Sequence, residues 1–149
     1  MLVIGCGNPD RGDDAAGILV ARRLHQIGLD ALEHTGDGFA LLDLWNGREE
    51  VILVDAMVSG GSPGSVSVWD PTTAPRNSND YRCSTHVYGP AEAIELARVL
   101  GRLPHRLRIY GIEASQFQPG ATVTTEVLAA VDRVVGEIAQ GWSKDTKLQ

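Results

Sequence analysis

The stretch from Val3 to Gly17 constrains the fold more than any other part of the chain. A short apolar run ends at Gly5 and Gly7, a polar turn follows, and the paired acids Asp13 and Asp14 precede an apolar segment with helical spacing. This order predicts a buried strand, a loop and a helix that begins beside the loop. Ligands of open α/β folds bind at the carboxyl ends of the strands, so we expect the chemistry near Asp14.

The same alternation continues to the end of the chain. Apolar runs predict strands over residues 1–6, 29–34, 50–57, 65–69 and 106–112. Helical spacing predicts helices over 13–27, 39–45 and 90–100, and a last helix from Glu126 that stops at Gly141. The polar stretch from Asp70 to Arg82 is predicted to be a long loop. The pattern predicts an α/β protein, a three-layer α/β/α sandwich with a mainly parallel sheet.

Composition favours one domain over residues 1–149, with 144–149 as a frayed tail. The net charge of -6 argues against a nucleic acid or an anionic membrane surface as partner. No apolar run approaches the roughly 20 residues of a membrane span, and no export signal opens the sequence. Cys6 and Cys83 form neither a disulfide framework nor a Cys-x-x-Cys pair. We therefore expect a cytoplasmic protein whose fold begins at the first residue.

The Gly5-x-Gly7 turn is a poor match to a dinucleotide-binding motif. That motif has a third glycine three residues further on, where this chain has Asp10. Three aspartates lie in the loop, and only Arg11 offsets their charge, so a pyrophosphate would be repelled. Nucleotide binding is the weakest of the functions considered, because the loop presents carboxylates that attract cations.

Four acidic residues are candidates for this chemistry. Aspartate is a preferred helix N-cap, so one of the pair Asp13 and Asp14 suffices to start the helix and the other is available to a ligand. Asp13 is assigned to the helix start and Asp14 to the ligand. Asp55 follows the apolar run of the best predicted strand, where a charge is costly unless it is paired or binds a cation. Glu113 ends another strand, where it either orients a ligand or caps a loop.

His86 completes a candidate metal site with Asp14 and Asp55. Two carboxylates and one imidazole suit a divalent first-row metal and leave coordination positions open. By contrast, His25 suits the end of the first helix, His34 ends a weak strand, and His105 lies in a basic surface loop.

Nucleophilic catalysis is the alternative chemistry. A Cys83–His86 pair requires both residues on one turn of helix, which the polar loop before them disfavours. No Gly-x-Ser-x-Gly sequence lies between a predicted strand and a predicted helix, which is where a nucleophile elbow occurs.

Four motifs resemble those of the hydrogenase maturation proteases, the endopeptidases that trim the large subunit of nickel–iron hydrogenases. They are Ile4-Gly5-Cys6-Gly7-Asn8 with Asp13-Asp14-Ala15-Ala16-Gly17, then Val54-Asp55-Ala56, Ser84-Thr85-His86, and Gly111-Ile112-Glu113 followed by Pro119-Gly120 and Thr124-Thr125-Glu126-Val127. Their order and spacing cover nearly the whole chain. A further family turn of the Asp-Gly-Gly-Thr type is represented here by Thr35-Gly36-Asp37-Gly38, in which Asp37 takes a polar role.

The resemblance implies a five-stranded α/β/α sandwich and a metal-binding trio that falls on Asp14, Asp55 and His86. Many members of the family have glutamate where this chain has Asp14, which is one methylene shorter. The family is thought to recognise nickel already installed in the hydrogenase large-subunit precursor, rather than to carry a metal of its own. It then cuts once and releases a C-terminal peptide. We expect this chain to be a monomer with the same activity.

Two other functions remain open at this point. One is a non-enzymatic metal-binding assembly factor that uses the same three residues and never changes the mass of the precursor. The other is a peptidase of similar architecture that acts on a different intracellular protein.

Overall fold

A computed structural model describes residues 1–73, 82–83 and 89–147. Five strands lie in the order β2-β1-β3-β6-β4, and a two-residue strand, β5, pairs with β3 beside this path. The strands are β1 (Leu2–Cys6), β2 (Ala31–His34), β3 (Glu50–Val58), β4 (Val66–Trp69), β5 (Arg82–Cys83) and β6 (Arg106–Glu113). The helices are α1 (Ala16–Gln26), α2 (Gly38–Trp45), α3 (Pro90–Leu100) and α4 (Thr125–Lys147).

The sheet is parallel except at β4 and β5. β1 pairs in parallel with both β2 and β3, and β3 pairs in parallel with β6. β4 pairs with β6 in the antiparallel sense, and β5 does so with β3. The carboxyl ends of the four parallel strands therefore meet at one edge of the sheet, which is where parallel α/β folds place their ligand sites.

Helices cover both faces of the sheet and make two apolar layers. One layer packs α2 and α3 against residues such as Ile4 and Leu53. The other packs α1 and α4 against residues such as Val3 and Val54. Because adjacent residues of β1 and β3 enter opposite layers, both strands are buried on both faces, as their continuous apolar runs predict. The predicted three-layer α/β/α sandwich with a mainly parallel sheet is confirmed.

Two glycines allow the helix and the loop after β1 to approach the sheet closely. A Cβ atom on Gly17 would lie 2.3 Å from the carbonyl oxygen of Val54 and 2.5 Å from that of Cys6. Gly7 has a φ of +142° and would place a Cβ 1.9 Å from the carbonyl oxygen of Asp14. Any larger residue would push α1 or the loop away from the carboxyl ends of β1 and β3.

Three details of the sequence-based prediction are wrong. The last helix continues through Gly141 to Lys147, because a single glycine costs only about 1 kcal/mol inside a long helix. Residues 144–147 of the predicted frayed tail therefore belong to α4. Arg82, placed at the end of a loop, lies in β5, a strand that exists only through pairing with β3. Ile27, the predicted last residue of the first helix, lies beyond α1, which ends at Gln26, and is 53% exposed.

Candidate functional site

The candidate site lies where β1 and β3 reach the carboxyl edge of the sheet. The loop after β1 leads into a short 3-10 helix, Gly12–Ala15, which contains both Asp13 and Asp14. Asp55 lies inside β3, just beyond the point where its pairing with β1 ends at Val54. The loop after β1, which contains the first sequence motif, and the carboxyl end of β3 are therefore neighbours at this edge of the sheet.

Asp14 and Asp55, the site carboxylates, are buried close to one thiol, that of Cys6. Asp14 is 2% exposed and Asp55 is 1% exposed. Burial raises the pKa of the Cys6 thiol well above its ordinary value, and the charges of Asp55 and Asp14 raise it further. Both carboxylates thus lie close to Cys6, the last residue of β1. The structure brings together two of the three predicted ligands.

Asp13 has a different role from its neighbour. Its carboxylate accepts hydrogen bonds from the backbone N–H groups of Ser115 and Gln116 at 3.0 Å and of Thr124 at 2.8 Å. The Thr124 hydroxyl donates a further bond at 3.0 Å. The backbone N–H of Asp13 donates in turn to the carbonyl oxygen of Gln116 at 2.7 Å. Asp13 therefore fastens the loop after β6 to the loop after β1.

This arrangement corrects the predicted role of Asp13 as the start of the helix. The residues that precede the 3-10 helix and α1 accept no side-chain capping bond, and the Asp13 carboxylate is directed at another loop. Burial alone disfavours the charged form, but the bonds from Thr124, Ser115 and Gln116 outweigh it and lower the pKa of Asp13. The stabilised anion holds the backbone next to Asp14 in place.

Glu113 fastens a second loop in the same way. Its Oε1 accepts hydrogen bonds from the backbone N–H groups of Ser59 at 2.9 Å and Gly60 at 3.1 Å. Its Oε2 accepts a bond from the Ser59 hydroxyl at 2.7 Å. Glu113 is thus a loop cap, the structural one of its two predicted roles. We call Asp13 and Glu113 the anchor carboxylates.

His86 lies outside the described residues, and so does the side chain of Cys83. The backbone of Cys83 is opposite Met57 of β3, two residues beyond Asp55. Among the residues that the structure describes, no group of three or more His, Cys, Asp or Glu side chains could hold a metal ion. The predicted trio of Asp14, Asp55 and His86 therefore stays a prediction, because the structure does not describe His86.

His34, predicted from the sequence only as the end of a weak strand, lies at the same edge of the sheet. His34 is the last residue of β2 and is paired with Cys6 of β1. Its Nδ1 accepts a 2.9 Å hydrogen bond from the backbone N–H of Gly36. In the following turn the Asp37 carboxylate accepts a bond from Phe39 N–H and caps α2. Only the sheet order could have revealed the position of His34.

The architecture and the buried carboxylates at the sheet edge define the chain as an α/β protein with a candidate cation site. A family model described as "Hydrogenase maturation protease" matches residues 21–141. The chain therefore belongs to the hydrogenase maturation protease family, as its motifs indicate, and it is an enzyme of the peptidase class.

Relatives from bacteria and archaea support this membership. The chain is 26% identical over 144 residues to the hydrogenase 2 maturation protease of Escherichia coli, covering 93% of this chain and 87% of the relative. It is 27% identical to the solved [NiFe] hydrogenase maturation protease HybD of Thermococcus kodakarensis, with a TM-score of 0.72 over 95% and 97% of the two chains. The solved endopeptidase HybD of E. coli shares the fold at 24% identity, with a TM-score of 0.78 over 97% and 92%.

In the described ranges, none of the helices combines the length and the apolar character that crossing a bilayer requires. The cytoplasmic location and the monomeric state expected from the sequence stay predictions.

Proposed function

We propose that the chain is an endopeptidase that removes the C-terminal extension of a nickel–iron hydrogenase large-subunit precursor after nickel insertion. Asp14, Asp55 and His86 recognise the nickel ion, which arrives with the precursor as part of the substrate. The observation that carries the proposal is the burial of two carboxylates beside one thiol at the carboxyl edge of the sheet, in a chain of this family.

The donor chemistry fits such a role. Carboxylate oxygens and an imidazole nitrogen are hard to borderline ligands, which suit divalent first-row metals. Two negative charges that converge in a buried place are stabilised by a cation, because the interaction between charges is strong where water is scarce. Three ligands from this chain leave coordination positions for groups of the precursor. The site would then bind metal firmly only when the precursor supplies the remaining ligands.

Peptide hydrolysis at this edge follows from that geometry. A water molecule attacks the carbonyl carbon of the scissile bond, loses a proton to a carboxylate, and the leaving amine gains a proton. The precursor's nickel ion polarises the carbonyl or lowers the pKa of the water. Asp14 and Asp55 are the two carboxylates within reach of that position. The anchor carboxylates are engaged with loop N–H groups and take no part in the proton transfer.

Mass spectrometry of the precursor tests the proposal. Purified protein mixed with nickel-loaded large-subunit precursor is expected to shorten it by the mass of its C-terminal extension. Nickel-free precursor is expected to keep its mass. Cleavage that is independent of nickel would refute the recognition of nickel, and cleavage of unrelated proteins would point to a peptidase with another substrate.

The residue assignment has its own test. Asp14→Asn, Asp55→Asn and His86→Ala are each expected to abolish shortening of nickel-loaded precursor. Asp10→Asn is the matched control, because Asp10 lies in the same loop but is exposed. If the wild type and Asp10→Asn bind nickel-loaded precursor but leave its mass unchanged, the chain is an assembly factor instead.

A further inference from the structure

The outer edge of β2 is open to an additional strand. β2 stands at one end of the strand order, and none of the described strands pairs with its outer side. On the inner side, Gly7 of the loop after β1 donates a 3.0 Å backbone hydrogen bond to the carbonyl oxygen of His34. Successive residues of a strand direct their backbone groups to alternate sides, so Ala31 and Glu33 direct N–H and C=O outward. The open edge therefore offers two donors and two acceptors.

A groove runs beside this edge, between β2 and the outer side of α1. Its volume is about 270 Å³. It is lined by Ala21, Arg22, His25, Gln26, Ala31, Leu32 and Glu33. Arg22 of the α1 wall forms a 2.9 Å ion pair with Glu33 of β2. An edge with a groove of side-chain size is the usual setting for a peptide that binds as an added strand.

The edge leads directly to the candidate site. β2 runs toward the carboxyl edge of the sheet and ends at His34, which is paired with Cys6. Cys6 lies close to the site carboxylates Asp14 and Asp55. A peptide that leaves the site toward the outer side of β2 thus passes the carboxyl ends of β1 and β2 before it enters the groove.

We propose that this edge binds the C-terminal extension of the precursor as an added strand antiparallel to β2. The proposal rests on the proposed function, because the bond to be cut must lie at the site carboxylates. The extension follows that bond in the sequence, so it runs away from the site, opposite to the direction of β2. Four residues of extended chain span about 13 Å, the length of β2.

An extension that runs down β2 passes the Arg22–Glu33 ion pair near the site end of the strand and brings its C-terminus beside Ala31. Backbone hydrogen bonds to Ala31 and Glu33 hold any extended sequence, and the groove discriminates among side chains. The edge would thereby hold the extension and keep the scissile bond at the site.

Hydrogen exchange of the full chain tests the binding surface. The probe is a synthetic peptide with the sequence of the extension, carrying a free C-terminal carboxylate. Its addition is expected to slow amide exchange at Ala31 and Glu33. Protection confined to other parts of the chain would overturn the proposal.

A proline variant tests the backbone hydrogen bonds. Glu33→Pro removes an outward N–H and is compatible with an edge strand, so peptide affinity is expected to fall about tenfold. Glu33→Ala is the matched control, since it loses the exposed ion pair but keeps the N–H, and its affinity should stay within about threefold. Equal affinities of the two variants would contradict strand addition. If Glu33→Pro does not fold, the exchange experiment on the wild type decides.

Two combinations of outcomes separate the proposals. If the protein shortens the precursor while β2 exchange is unchanged by peptide, the docking proposal fails and the endopeptidase function stands. If the peptide protects β2 but the precursor is never cut, docking stands and the endopeptidase function fails.

Discussion

The anchor carboxylates and the site carboxylates are chemically alike and equally buried, yet they do different work at one edge of the sheet. Asp13 and Glu113 are 0% and 2% exposed, and Asp14 and Asp55 are 2% and 1% exposed. The anchor carboxylates accept hydrogen bonds from N–H and hydroxyl groups of the loops that follow β6 and β3. The site carboxylates lie close to the Cys6 thiol. Burial of an acid therefore does not by itself identify a catalytic group.

The contrast is sharpest between the neighbours Asp13 and Asp14. The Asp13 carboxylate is directed at the loop that contains Thr124, and the Asp14 carboxylate lies near Cys6. Because the anchor fixes the backbone of the 3-10 helix, the position of Asp14 depends on a loop more than a hundred residues later in the chain. Asp13 thus positions the loop, and its neighbour Asp14 is the candidate for the chemistry.

The largest expected effect is the loss of cleavage in the site variants. Asp14→Asn and Asp55→Asn each remove a negative charge that the proposed nickel recognition requires. We expect precursor cleavage to fall by at least about 100-fold, since even outer-shell changes at metal sites cost about 10–100-fold. Initial rates from precursor mass give the measurement, with Asp10→Asn as a control of unchanged rate. If Asp14→Asn or Asp55→Asn cleaved the precursor at the wild-type rate, the distinction between anchor carboxylates and site carboxylates would be wrong.

Asp13→Asn is expected to reduce the free energy of unfolding by about 3 kcal/mol. Both oxygens of Asp13 face backbone N–H groups, Oδ2 toward Ser115 and Gln116 and Oδ1 toward Thr124. In either orientation the amide NH₂ of asparagine meets a donor, and a buried group is left unsatisfied. Urea unfolding measures the loss.

The control for this variant is Asp37→Asn. Asp37 is an exposed N-cap of α2, and asparagine caps helices as well as aspartate does. Its expected change is below about 0.5 kcal/mol. If Asp13→Asn were equally harmless, Asp13 would not be an anchor.

Lowering the pH is expected to remove the stabilisation that Asp13 gives to the wild type. The pKa of Asp13 is lower in the folded chain than in the unfolded chain, so its stabilisation is present above the unfolded value of about 3.9. It is lost as the pH falls below that value through the folded pKa. The stability difference between wild type and Asp13→Asn should therefore be constant from pH 7 to pH 5 and narrow below about pH 4. A difference that widens in acid would contradict this assignment.

Glu113→Gln is expected to have the smallest effect, a reduction of about 1 kcal/mol in the free energy of unfolding. Glu113 directs only Oε1 at the backbone N–H groups, and a glutamine keeps that oxygen. The new NH₂ faces the Ser59 hydroxyl, which rotates to accept a bond instead of donating one. Urea unfolding at pH 7 provides the comparison with Asp13→Asn. A loss as large as that of Asp13→Asn would mean that the charge of Glu113, rather than its geometry, holds the loop.

Much of the fold was predictable because its signals are local. The apolar run before Asp55 marks a strand buried on both faces, and glycines mark the ends of α1 and α3. The family was predictable because its motifs retain their order and spacing. The two-residue strand β5 was not predictable, because only pairing with β3 makes it a strand.

The sequence by itself determined the order of the helices and of the strands other than β5, the family, and the pair Asp14 and Asp55 as site candidates. Each depends on patterns that can be read along the chain without knowledge of strand pairing. Only the tertiary structure decided that Asp13 and Glu113 are anchors, because their partners lie 102–111 and 53–54 residues away. It likewise placed His34 beside Cys6 through the pairing of β2 with β1. A carboxylate's role depends on which groups reach it, and in this fold those groups come from distant strands and loops.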